Sequence, residues 1–137
     1  MKSHHRSVLG FQLLEILITL GILAIIASFS LAHYSAYLTK AKRLEAVAAL
    51  MAAATALEKY QLINNTYENA GLEQLYIPTL VAEQHYRLSL ETTANSYLLH
   101  ATPLAGQATD DASCGVLTLS ADGERSVSGA GAVGECW

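Results

Sequence analysis

Between Leu13 and Ala32 the chain carries 20 residues with a single charge, Glu15. A helix of about 20 apolar residues spans the roughly 30 Å hydrocarbon core of a bilayer. A chain of 137 residues has room for one small domain, whose interior cannot surround such a helix on every side. The run therefore predicts a single membrane span. Ahead of it stands MKSHHRS, in which Lys2 and Arg6 are fixed cations and His4 and His5 can add charge. Positive charge beside a span stays on the cytoplasmic side, so everything after the span is expected to face outward.

The averages, 52% hydrophobic and 15% charged with a net charge of −4, hide an asymmetry along the chain. After Tyr60 nine acidic residues (Glu68, Glu73, Glu83, Glu91, Asp110, Asp111, Asp122, Glu124 and Glu135) face two basic ones, Arg87 and Arg125. Broad binding to phosphate backbones needs clustered Lys and Arg, so nucleic acid is a disfavoured partner, with room left only for small local patches. The two cysteines, Cys114 and Cys136, lie in the outward part, where an even count favours a disulfide. Free thiols are the alternative for a head kept in a reducing cytosol. Two Cys without nearby paired His are too few for a zinc site, and no metal or cofactor is expected.

A cleaved secretory signal places its small-residue junction after the apolar core. Here the small-residue junction, Gly10-Phe11, comes before it, so a cut there would release residues 1–10 and leave the anchor in place. From His33 the helical signal continues in amphipathic form: Val47, Leu50, Met51, Ala54 and Leu57 recur at spacings of three and four. The alanine-rich EAVAALMAAATALEKY has high helix propensity and meets no breaker before Asn64-Asn65. One helix is predicted over 11–63, on the order of 75 Å long at 1.5 Å per residue, with 11–33 in the membrane.

Residues 64–137 are expected to form a head. Its first part, 64–82, reads as a loop with one short helical turn. Tyr86, Leu88 and Leu90 then alternate with polar residues in the period of a strand wet on one face. NSYLLHAT is its partner, and GVLTLSADGERSVSG offers two more strands around Asp122-Gly123, a pair that accepts the positive φ of tight hairpins. The predicted fold is α+β: a long N-terminal helix, transmembrane in its first half, packed against a small antiparallel sheet of three to four strands. Closing Cys114 to Cys136 would pin a loop of about 20 residues, worth roughly 3 kcal/mol in the chain-entropy estimate.

The stretch from GFQLLE through the apolar run resembles the class III signal and N-terminal helix of type IV pilins and their pseudopilin relatives. The resemblance implies that a membrane-embedded prepilin peptidase cuts between Gly10 and Phe11 and methylates Phe11. It also implies that an inner-membrane assembly platform moves the subunit from the membrane into a filament of pilin subunits. Glu15 would pair with the terminal amine of a neighbour, and physics supports a partner independently, because a charge in mid-bilayer costs roughly 2.5 to 3.5 kcal/mol. The ending DGERSVSGAGAVGECW, with Cys114 upstream, resembles the C-terminus of PilE-type minor pilins, the group that also contains ComP-type DNA-uptake receptors. Gln12 stands where the family has Thr, and Ala24 and Ala32 replace its helix-loosening Gly and Pro, so a straighter helix than in most pilins is expected between Ala24 and His33, with Ser28 and Ser30 still able to bend it through bonds to carbonyls.

The resemblance implies a minor subunit of a type IV pilus, serving assembly and pilus-dependent adhesion, twitching motility or DNA uptake. It would begin as a single-pass inner-membrane precursor and end in the extracellular pilus. The alternatives are a pilus-borne DNA receptor, for which Arg87, Arg125, His85 and His100 are the available groups, and a pseudopilin of a type II secretion system. Asp110, Asp111, Asp122 and Glu124 lack calcium-loop spacing. Ser113 and Cys114 have no His base near them in sequence, and the chain is expected not to be an enzyme.

Overall fold

A computed structural model describes the backbone of residues 9–137 and the side chains of residues 12–29 and 33–137. The expected leader through residue 8 lies outside the described residues, as do the side chains of Gly10 and Phe11 that flank the expected cut. The chain divides into two compact units, residues up to Ala36 and Tyr37–Trp137.

Helix α1, Leu9–Asn64, is assigned without a break over 56 residues, including the stretch between Ala24 and His33. No proline precedes Pro78, which removes the strongest helix breaker from its whole length. In its first part Thr19 Oγ1 donates to the Glu15 carbonyl at 2.6 Å and Ser28 Oγ to the Ile25 carbonyl at 2.7 Å, so these hydroxyls are satisfied by the helix itself. The helix stops where its sequence turns to asparagine. Asn65 enters the left-handed region at φ 57 and its N–H caps the Gln61 carbonyl at 2.7 Å, while Asn64 Nδ2 donates to the Tyr60 carbonyl.

The second unit folds its chain after α1 into a five-stranded meander. Strands β1 (Leu80–Val81), β2 (Tyr86–Thr92) and β3 (Tyr97–Pro103) are followed by a short helix α2 (Ala105–Asp110). Then come β4 (Leu117–Ser120), β5 (Arg125–Val127) and the short α3 (Val133–Cys136). Strand order follows chain order and every pairing is antiparallel. The sheet thus has one strand more than the upper count of the sequence reading. The extra strand is β1, whose two residues pair with Tyr86 and Arg87 and are too few to show any periodicity. Gly123, at φ 80, closes the β4–β5 hairpin at the predicted Asp122-Gly123.

Register places Tyr86 and Leu88 of β2, Tyr97, Leu99 and Ala101 of β3, and Leu117 and Leu119 of β4 on one face, against α1. On the helix side the fully buried positions are Ala46, Leu50, Ala53 and Leu57. The apolar stripe is therefore rotated from the predicted one: Leu50 and Leu57 are central, but Val47, Met51 and Ala54 are only half-buried. The reason is size. Two alanines at the centre let the sheet approach the helix axis closely, while the bulkier Val47 and Met51 fill the margin. Residues 65–79 are pinned back onto the helix through Glu58, whose Oε1 accepts the hydroxyls of Tyr67 at 3.0 Å and Tyr97 at 3.3 Å. The two rings meet edge to face with centroids 5.1 Å apart.

Candidate assembly segment and head

Leu13, Leu14, Ile16, Leu17, Ile18, Leu20, Ile22, Leu23, Ile25, Ile26 and Phe29 are all more than half exposed. A helix apolar on every side is stable only in lipid or against other helices, and α1 is long and apolar enough to cross a membrane. Within that surface Gln12, Glu15 and Thr19 form one polar ridge at helical spacing. The Thr19 hydroxyl is spent on a backbone carbonyl, and from Ser7 to Ala32 there is no Lys, Arg or His. The side chains of this stretch therefore offer the Glu15 carboxylate no cation, and a charge placed in hydrocarbon is costly without one. Tyr34 and Tyr37, just beyond, are exposed.

In the head unit the most constrained chemistry is a buried polar cluster that no motif announces. Asp111, 2% exposed at the side chain, accepts the Arg43 guanidinium of α1 at one carboxylate oxygen and the Tyr86 hydroxyl, at 2.7 Å, at the other. Gln107 Nε2 donates to the Thr39 carbonyl at 3.0 Å and to the Tyr86 oxygen at 3.2 Å. Burial, then the hydrogen bond to Asp111, hold the Tyr86 phenol far above its ordinary pKa of 10. The Asp111 carbonyl also accepts the N–H groups of Cys114 and Gly115. One residue thus ties α1, β2, α2 and the cysteine loop together. Arg43 Nε is buried with no hydrogen-bond partner among the described residues, so the cluster is short of one acceptor.

Cys114 and Cys136 are bonded, with Cα atoms 5.6 Å apart. The chain between them returns along residues 113–116: Ser128 N donates to Val116 O at 3.0 Å, Gly129 N to Cys114 O at 3.0 Å and Gly131 N to Ser113 O at 2.7 Å. This close return requires glycine. A Cβ on Gly129 would lie 2.2 Å from the Ser113 carbonyl oxygen, and one on Gly131 2.8 Å from it. After α3, Trp137 Nε1 donates to the Ser126 carbonyl at 3.2 Å and Arg125 lies 5.4 Å from the centre of the Trp137 ring, a cation–π contact.

The groups proposed to read phosphate do not converge. Arg87 lies on the outward face of β2, while Arg125 pairs with Leu119 on the inward side of the edge strand β5. Two strands separate them, about 14 Å at the spacing of neighbouring strands. His100 Nδ1 is 3.0 Å from Thr118 Oγ1 and its Nε2 3.9 Å from Glu91. His85 is half-buried before β2. Of the carboxylates considered for calcium, Asp111 is turned to Arg43, and Asp122 and Glu124 flank the β4–β5 turn. Among the described residues no three acidic, His or Cys side chains form a metal-holding group.

Residues 32–118 match the family described as type IV minor pilin ComP, DNA uptake sequence receptor. The chain is also similar to type II secretion system core protein G of Vibrio cholerae serotype O1. It is 33% identical to that protein over 133 residues, covering 90% of this chain and 87% of the relative. Core protein G of Escherichia coli strain K12 is 33% identical over 101 residues, covering 66% of this chain and 70% of that protein. With a family match over residues 32–118, a relative alike over nearly its whole length, and an exposed apolar helix leading into an α+β head, the chain belongs to the type IV pilin family.

Proposed function

We propose that this chain is a minor pilin, a subunit that begins as a membrane-anchored precursor and is inserted into a type IV pilus. The observation that carries the reading is the apolar helix, exposed on all sides and interrupted by one carboxylate, followed by residues 32–118, which match the minor-pilin family. In lipid Glu15 is expensive. Among packed helices, the terminal amine left on Phe11 by a cut after Gly10 would offset that cost and set the register of one subunit on the next. Prepilin peptidase, which would make the cut and methylate Phe11, and the assembly platform are partners on this reading. The chain acts by packing and binding rather than by catalysis. Glu15→Leu is the test: membrane insertion should be unchanged and incorporation into sheared filaments lost. Normal incorporation of Glu15→Leu would refute the proposal.

A second reading, a pilus-borne receptor for DNA in natural transformation, is supported by the description of the matching family. Weighing against broad phosphate binding are the separation of Arg87 from Arg125 and the acidic excess of the head. A receptor here would read a short sequence through few contacts. Gel shifts of the detergent-solubilised chain with short duplexes of different sequence, at low salt, test it, and no retardation of any duplex removes it. A third, a type II secretion pseudopilin, rests on the two core protein G relatives. Loss of secretion rather than of pili on deletion would select it.

A further inference from the structure

Two exposed features of the head unit complement each other and cannot meet within one molecule. The first is Tyr76, 95% exposed, with its backbone in the left-handed region at φ 56. Such a conformation is an outlier for a bulky residue and persists only where its surroundings impose it. They do so here: Leu75 N donates to Gly71 O at 3.0 Å, Tyr76 N to Glu73 O at 3.1 Å and Ile77 N to Leu72 O at 2.8 Å. Ile63, 77% exposed, and Lys59 lie on the same open surface as Tyr76. The second feature is a groove of about 340 Å³ between α1 and the β4–β5 hairpin. Met51, Ala54 and Leu119 supply its apolar lining, Glu58 and Asp122 its acids, and Arg125 its one cation, which is engaged by the Trp137 ring.

At 100° per residue, Met51, Ala54 and Glu58 are centred roughly 150° around α1 from Lys59, Tyr60 and Ile63. The two features occupy opposite flanks of the helix face that the sheet covers. A protruding apolar group and a hollow for it on different surfaces of one molecule make a head-to-tail contact, which propagates instead of closing on itself. Charge orients the contact, because Lys59 flanks the protrusion and Glu58 and Asp122 flank the hollow. We propose that Tyr76 of one subunit docks into the Met51–Asp122 groove of a second copy of this chain. The docking rests on the filament reading above and names a lateral contact between heads.

The test keeps the full chain in its own membrane. Two differently tagged copies are co-expressed, one carrying Tyr76→benzoylphenylalanine, and are irradiated before membranes and sheared filaments are separated and adducts mapped by mass spectrometry. Adducts on residues 51–58 or 119–123 of the other copy are expected. Adducts on a different protein, on another surface of the second copy, or in neither fraction overturn the docking. Groove adducts in membranes, from a chain that never reaches filaments, support the docking and overturn the filament reading. A chain that enters filaments without adducts does the reverse. Because Tyr76 is exposed, its replacement leaves the core untouched, and a retained Cys114–Cys136 bond on non-reducing gels verifies the fold. Lys59→Glu and Asp122→Lys should each reduce groove adducts at least fivefold, and both together should restore at least half. Failure to restore, with the disulfide intact, overturns the charge pairing.

Discussion

Replacing Asp111 by Asn preserves the shape of the buried cluster and removes only its negative charge. The Arg43 guanidinium, 11% exposed, would then sit between α1 and the cysteine loop without a counter-ion, keeping only a long contact of 3.5 Å to the Glu135 carbonyl. Breaking a buried pair by removing one partner costs about 3–5 kcal/mol. The residual exposure of Arg43 and the surviving hydrogen bond to Tyr86 place Asp111→Asn near the lower end, about 3 kcal/mol. For a unit the size of Tyr37–Trp137, about 4–8 °C of Tm accompany each kcal/mol, so a loss on the order of 12–24 °C is expected. Near-UV circular dichroism of the detergent-solubilised full chain, with the disulfide intact, measures it. The double variant Arg43→Met/Asp111→Leu removes both charges and should be clearly more stable than the sum of its single variants implies. A cost below about 1 kcal/mol for Asp111→Asn, or strict additivity in the double variant, would show that the cluster does not hold the head together.

Three further outcomes follow from the head. Burial and then the Glu58 charge push Tyr97 up to about 12, and Tyr67 is raised by burial and by the same carboxylate. A raised folded-state pKa means stability fully present below pH 10 and lost as pH climbs toward 12; spectrophotometric titration should show this, and Glu58→Gln should bring both phenols back toward 10. Gly129→Ala forces a methyl to within 2.2 Å of the Ser113 carbonyl, so it should cost about 1–3 kcal/mol as an overpacking change and slow oxidation of the cysteines, read by thiol trapping. Ala82, Glu83 and Gln84 are three consecutive non-glycine residues at positive φ. Gln84→Gly relieves left-handed strain of about 1–2 kcal/mol against a smaller loss of chain entropy, and should raise the melting temperature by a few degrees.

The strand pattern around Tyr86 and the hairpin at Asp122-Gly123 were legible because alternation and turn chemistry are local signals carried by neighbouring residues. The two-residue β1 and the turn through Ala82–Gln84 were not. Nothing in VAEQHY advertises a left-handed turn, and it exists because β1 must reverse onto β2 within a few residues while Ala82 is buried. No motif set Arg43 apart, and Asp111 read as one of four acids without calcium-loop spacing. Their pairing spans 68 positions, a separation at which a lone sequence shows no periodicity or motif. Glu58 was invisible for the same reason, since its two tyrosines come from separate elements.

The sequence by itself determined that the first part of α1 is long and apolar enough to cross a membrane, that Glu15 is its single charge, and that the head alternates as a sheet. Those properties depend on composition over one or two turns of chain and survive in any arrangement of the rest. Only the tertiary structure decided which face of α1 the sheet takes, that Asp111 joins the helix to the cysteine loop, and that Arg87 and Arg125 lie apart. These depend on how closely alanine lets backbones approach, and on desolvation, which makes a charge buried at one position compulsory to pair with another far along the chain.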